Sequence, residues 1–211
     1  MIDAYGVDPL GVVVVPHGVE TALRTDVTPA DELRRHYALG DGPVVVYPAV
    51  TNPHKNHAFL LDLLRSRWTD PALRLVLIGG AGSAEPAVTA CTDRRVCRLG
   101  RVPAADRNGL IAMADALVFP SRYEGFGAPL IEAMTLGAPV IAAATACIPE
   151  VVAGAGLVLP LEIDAWAGAL DEVRARRSEL VELGRARAEQ FTAARSGAAL
   201  AGAYAVAVER A

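Results

Sequence analysis

The chain has 211 residues, a formal net charge of −4 and 53% hydrophobic residues, which fits one larger α/β unit with material for a sizeable core. Its arginines are scattered rather than clustered, so the basic footprint of a nucleic-acid binder is absent and no nucleic-acid partner is expected. Three cysteines, Cys91, Cys97 and Cys147, lack metal-ligand spacing; with no signal peptide and no apolar run of roughly 18 residues, they point to a cytoplasmic protein without a transmembrane segment, each cysteine being a small buried hydrophobe.

The opening "MIDAYGVDPLGVVVVPHGVE" runs straight into the apolar stretch "GVVVVP" (11–16), which is expected to be a strand. No Gly-rich strand-turn-helix precedes it, so the segment reads as the continuation of an earlier domain. Further strands are expected at "PVVVYPAV" (43–50), "LRLVLIGG" (73–80), "RRVCRLG" (94–100), "DALVFPS" (115–121), "APVIAAA" (138–144) and "AGLVLP" (155–160). These runs are continuously apolar rather than alternating, the pattern of strands covered on both faces. Segments with helical spacing lie between them, including 54–68 and 103–115. Alternation of this kind predicts a doubly wound parallel sheet, Rossmann-like, and the chain closes with a helical tail from about residue 162. The expected division is residues 1–165 as the Rossmann-like, ligand-binding unit and 166–211 as a helical segment packed on it or on an earlier domain.

In such a sheet ligands bind beyond the carboxyl ends of the strands, where strand order reverses. The loop "SRYEGFGAPLIEAM" (121–134) leads from a strand to a helix expected over 128–137 and stopped by Gly137. Gly125 and Gly127 fall in that turn, where missing side chains let the backbone approach a ligand, and the helix N-terminus adds free N–H groups and a positive dipole. This is a phosphate site in outline. Glu132 lies five residues into the helix, ~7 Å along the axis at ~1.5 Å per residue, within reach of a ribose whose diphosphate sits at the helix end. Glu124, before the turn, is placed to accept hydrogen bonds from the hydroxyls of a sugar on the far phosphate. The bland alternative is a turn cap and a solvated helix residue.

Lys55, in "NPHKNH", is expected at a helix start capped by Asn52 with Pro53 in first position, its ammonium directed to the anion. His54 and His57 are read as solvated polar residues. "LIGGAG" (77–82) leaves two readings open for Gly79 and Gly80, a tight turn or a ligand-lining one.

The stretch "FPSRYEGFGAPLIEAMTLGAPVIAA" resembles the EX7E segment of the retaining GT-B glycosyltransferases, particularly the large GT4 family, with Glu124 and Glu132 as its acids. The resemblance extends through "VVPHGVE", "NPHKNH", "LVLIGG", "LGRVPAADRNGLIAMADALVFPS" and "IPEVVAGAGLVLP", over residues 8–165. It implies the C-terminal, donor-binding half of a GT-B enzyme that transfers a sugar from a GDP- or UDP-sugar with retention and without a metal or other cofactor. Lys55 would then bind the diphosphate, backbone at Phe126, Gly127 and Ala128 would contact phosphate or sugar, and Arg101 and Val102 would frame the base. Lys55 and Glu124 are the implied catalytic pair.

Three departures from the family pattern stand out. Ala49 occupies the position where many members carry an arginine, leaving Arg122 and Arg101 as candidates for the second cation. His17 replaces an amide near the start and is a candidate for lining the cleft. The acceptor-binding half is absent from this sequence, so the chain is expected to be a fragment that binds nucleotide but transfers no sugar alone, with any peripheral membrane contact left to the missing half. The competing readings are a non-catalytic nucleotide-binding module and a GT-B epimerase or phosphorylase, though the covalent-cofactor lysine motif of a phosphorylase is not evident.

Overall fold

The computed structural model describes residues 6, 8 and 11–209; the rest of the opening segment (1–5, 7, 9 and 10) and the last two residues lie outside them. Six strands, β1 (Val44–Pro48), β2 (Arg74–Ile78), β3 (Val96–Gly100), β4 (Ala116–Phe119), β5 (Val140–Ala143) and β6 (Leu157–Leu159), form one sheet in the order β3-β2-β1-β4-β5-β6. Every neighbouring pair is parallel. Val46 of β1 lies opposite Val76 of β2 on one side and Leu117 of β4 on the other. Val44 to Tyr47, all four of β4 and all four of β5 are buried, which is why these strands are apolar at every position.

Parallel strands need crossovers, and helices supply them. On one side α1 (Ala30–His36), α4 (Ala104–Met113), α5 (Ala128–Leu136) and α9 (Arg177–Ala188) pack in sequence; α2 (His57–Ser66), α3 (Glu85–Thr89) and α7 (Ile163–Trp166) pack together on the other. α6 (Ile148–Val152) connects β5 to β6, and α8 (Ala169–Ala175) leads from α7 to α9. α9 approaches α5 closely because Gly184 has no side chain; a Cβ there would sit 3.2 Å from Met134 Cγ. Trp166 is fully buried, donates from its indole to Pro160 O at 2.8 Å and accepts at its carbonyl from the Trp68 indole at 3.2 Å. The tail is thus fastened to the sheet layer as far as Phe191, whereas the final helix, α10 (Ala193–Glu209), buries none of its residues.

The sheet, the helical crossovers and the helical tail match the sequence expectation, with one exception at the start. Residues 12–18 form no strand, and Val12, Val13 and Val14 are exposed. Their β-branched side chains favour extended backbone, but the segment pairs with no strand of the sheet, and the bridge nearest to it joins Val19 to Thr192. The segment meets the tail instead: Val19 N donates to Phe191 O at 2.7 Å.

Strand order reverses between β1 and β4. The crevice beyond Pro48 and Phe119 is therefore where the fold places a ligand.

Candidate functional site

The loops after β1 and β4 meet at this crevice. Lys55 Nζ lies 2.5 Å from Glu124 Oε1, with both side chains largely buried, and 5.7 Å from the centre of the Phe119 ring. Lys55 ends a 3₁₀ turn, Pro53–Lys55, and not the first turn of an α-helix as expected; Asn52 makes no side-chain cap, and α2 begins only after Asn56, which has a left-handed φ of 58°. Three hydrogen bonds hold this tight loop against β1 and the end of β4. Tyr47 Oη donates to Lys55 O at 2.7 Å, Asn56 Nδ2 to Pro120 O at 3.2 Å, and Arg122 N to His54 O at 2.8 Å. Burial holds the Tyr47 phenol well above its ordinary range, so it remains a donor, and Ser121 Oγ lies 3.1 Å from it.

The glycine turn follows Glu124. Gly127 has φ +91°, a conformation suited to glycine, and caps α5, whose Pro129 sits in the first turn; Gly137, at φ 82°, closes the helix. Cys147 stands behind the turn, its thiol donating to Glu124 O at 3.3 Å and Phe126 O at 3.5 Å. Burial raises the Cys147 pKa, which keeps the sulfur a donor. A cavity of about 690 Å³ opens in front of the turn, bounded by Glu124, Gly125, Phe126, Gly127, Ala128 and, across from them, His17. The His17 ring packs edge-on to Phe126, with centroids 5.5 Å apart, so the structure brings the histidine expected at the cleft into it.

A second groove, of about 310 Å³, lies beyond the ends of β1 and β2 and is lined by Ala49, Val50, Gly79, Arg101, Val102 and Arg107. The two readings of the Gly79–Gly80 turn merge here. Gly79 has φ +140°, and a Cβ on it would meet Ala49 O at 2.4 Å, so close approach of the two strand ends demands glycine; the same glycine forms groove wall. Gly80 lies beneath the Arg101 guanidinium, whose Nε would be 3.4 Å from an added Cβ. Glu132 is turned toward this side and forms an ion pair with Arg107 of α4.

Other expectations divide. His54 and Arg122 are exposed, and neither side chain lines either cavity. His57 is not solvated: it is 3% exposed, its ring is tilted 42° against Tyr47 with centroids 4.8 Å apart, and neither ring nitrogen makes a hydrogen bond of good geometry. Burial lowers its pKa from 6.5 to about 4. The unfolded chain takes up this proton first, so the histidine's contribution to stability is complete above pH 6.5 and is lost as pH falls towards 4. His57→Phe should flatten the pH dependence of the urea midpoint between pH 6.5 and 4; an unchanged slope would mean that another group carries it.

Two residues that line these cavities escaped the sequence reading. Arg107 sits on an amphipathic helix, where an arginine reads as solvated, and Cys147 was counted only as core. Ala49, which stands where many members of the resembling family carry an arginine, was the one hint in the sequence to look to other elements.

Residues 30–190 match the family model described as glycosyl transferases group 1. The chain is 36% identical to a D-inositol 3-phosphate glycosyltransferase of Jonesia denitrificans over 214 aligned residues, covering 89% of this chain and 50% of the relative. Among solved structures it is similar to sucrose-phosphate synthase from Thermosynechococcus elongatus (TM-score 0.76, 24% identity, 93% of this chain and 53% of that one). Anabaena HepE in complex with UDP-glucose is similarly close (TM-score 0.77, 23% identity, 90% of this chain and 56% of that one). The chain spans about half the length of the relatives it matches. Among the described residues no helix is long and apolar enough to cross a membrane. With its six-stranded Rossmann-like sheet and a family match over most of its length, the chain belongs to the group 1 glycosyl transferases.

Proposed function

We propose that the chain is the donor-binding half of a retaining, metal-independent glycosyltransferase, taking a sugar from a UDP- or GDP-sugar and passing it to an acceptor held by a second domain. The observation that carries this reading is the Lys55–Glu124 pair, 2.5 Å apart at the β1/β4 switch point and beside a left-handed glycine that opens α5. In this reading the diphosphate lies on the turn at Gly125–Ala128, receiving backbone N–H groups, the helix dipole and the Lys55 ammonium. The base and ribose occupy the groove framed by Arg101, Val102, Gly79 and Gly80, with Glu132 accepting from the ribose hydroxyls. The sugar enters the larger cavity, where Glu124 accepts from its hydroxyls and supports positive charge near the anomeric carbon. Support comes from the HepE neighbour, solved with UDP-glucose in the same fold.

The chemistry this arrangement suits is front-face displacement. The bond from anomeric carbon to phosphate oxygen breaks, an acceptor oxygen bonds to that carbon on the same face, and the acceptor's proton passes to the departing phosphate. Lys55 stabilises the charge that grows on the leaving diphosphate. Residues 1–165 form the nucleotide-sugar unit in this proposal and 166–211 a helical segment that fastens it. Three half-buried free cysteines fit a cytoplasmic setting. Calorimetric titration of the chain with UDP and with GDP is the test: we expect one to bind saturably, and binding of neither would sink the reading.

A further inference from the structure

The donor site proposed above has a charge problem. Four of its ionised groups form two pairs, Lys55 with Glu124 and Arg107 with Glu132. Each pair is neutral, so a diphosphate with two or more negative charges would enter a half-buried crevice holding no uncommitted positive charge from these four residues, and desolvated anions need compensation. A helix terminus supplies only a fraction of a charge. Lys55 gives its ammonium to the diphosphate in the reading above, and a second cation would complete the compensation.

The Arg107–Glu132 pair is placed to supply it. Its side chains are 26% and 21% exposed, so the pair rests at the groove wall rather than in the core. Arg107 lines the same groove as Ala49, a position that offers only a methyl group. Glu132 is the carboxylate best placed for ribose hydroxyls, and an oxygen that accepts from them has less to give the guanidinium. Arg107 rises from α4 and meets α5 about 7 Å from its N-terminus, ~1.5 Å per residue over the five residues from Gly127 to Glu132. That distance is comparable to the length of an arginine side chain. Arg101 shares the groove but lies over the Gly79–Gly80 turn, and Arg122 lines neither cavity.

We propose that Arg107 is a diphosphate-binding cation of the donor site, held by Glu132 while the site is empty and released to the phosphates when ribose hydroxyls occupy that carboxylate. A guanidinium suits the task because its planar fork binds phosphate oxygens in pairs. The inference rests on the donor-site reading above and assigns it a residue from outside the two loops that frame the turn.

The experiment compares wild type, Arg107→Gln and Arg107→Leu by calorimetry, each titrated with UDP, uridine, GDP and guanosine, after melting curves establish that the variants are folded. Glutamine removes the charge but keeps a donor for Glu132, which separates a phosphate-binding role from one of merely holding the carboxylate in place. For whichever diphosphate the wild type binds, both variants should lose affinity about 10- to 100-fold, with the parent nucleoside changed far less. Equal losses for nucleoside and diphosphate, full affinity in Arg107→Gln, or no loss in Arg107→Leu would each overturn the proposal. If wild type binds neither UDP nor GDP, the donor site itself is misassigned, an outcome visible before any variant is made.

Discussion

Replacing Lys55 by alanine is expected to lower the affinity for the nucleoside diphosphate about 10- to 100-fold, the weight of a charge-assisted hydrogen bond, while leaving the parent nucleoside nearly untouched. Fold stability should fall as well, because Glu124 is only 11% exposed and would be left without its cation. For a fully buried pair such a loss runs to about 3–5 kcal/mol; partial exposure of Lys55 reduces it to an expected ~1–2 kcal/mol by solvent screening. The double variant Lys55→Met with Glu124→Gln separates the two effects. Removing both charges should restore most of the melting temperature and none of the diphosphate affinity. Recovery of binding in the double variant, or unchanged binding in Lys55→Ala, would show that the lysine serves only the fold.

Glu132→Ala carries the second large effect, and its signature is selectivity rather than affinity alone. If the carboxylate accepts from the two ribose hydroxyls, wild type should prefer UDP or GDP over the 2′,3′-dideoxy analogue by about tenfold or more, each hydrogen bond to a charged group being worth ~1.5–3 kcal/mol. Glu132→Ala should abolish that preference. Overall affinity is the poorer readout, because the substitution also frees Arg107 from its ion pair and so offers the phosphates a cation. A preference for the ribose form that survives the substitution would place the ribose elsewhere. Stability should change little, by under ~1 kcal/mol, since both partners remain partly solvated.

Much of this was legible in the sequence for a simple physical reason. A strand covered on both faces has no polar positions, so Val44–Tyr47 and Val140–Ala143 announce themselves as uninterrupted apolar runs. Parallel order then directs attention to strand ends, and Lys55 and Glu124, on two loops 69 positions apart in sequence, do meet there. The valines at 12–14 show the limit of the same signal: composition reports a preference for extended backbone, not the presence of a neighbour to pair with. His57 failed for a related reason. A histidine among Pro, Asn and Lys reads as solvated, and only the left-handed turn at Asn56 rotates it under Tyr47. Arg107 was hidden because its partner is 25 positions away on another helix, and a helical arginine carries no local mark of what it faces.

Seven residues separate Glu124 from Glu132, and the fold turns that count into a gauge. The left-handed Gly127 fixes where α5 starts, and the packing of Leu130, Ile131, Ala133 and Met134 fixes its rotation. One inserted residue inside the helix would turn everything after it by about 100°, carrying Glu132 away from Arg107 or the apolar stripe away from the core. Natural variants of this chain can therefore change the letters of the stretch far more freely than its length.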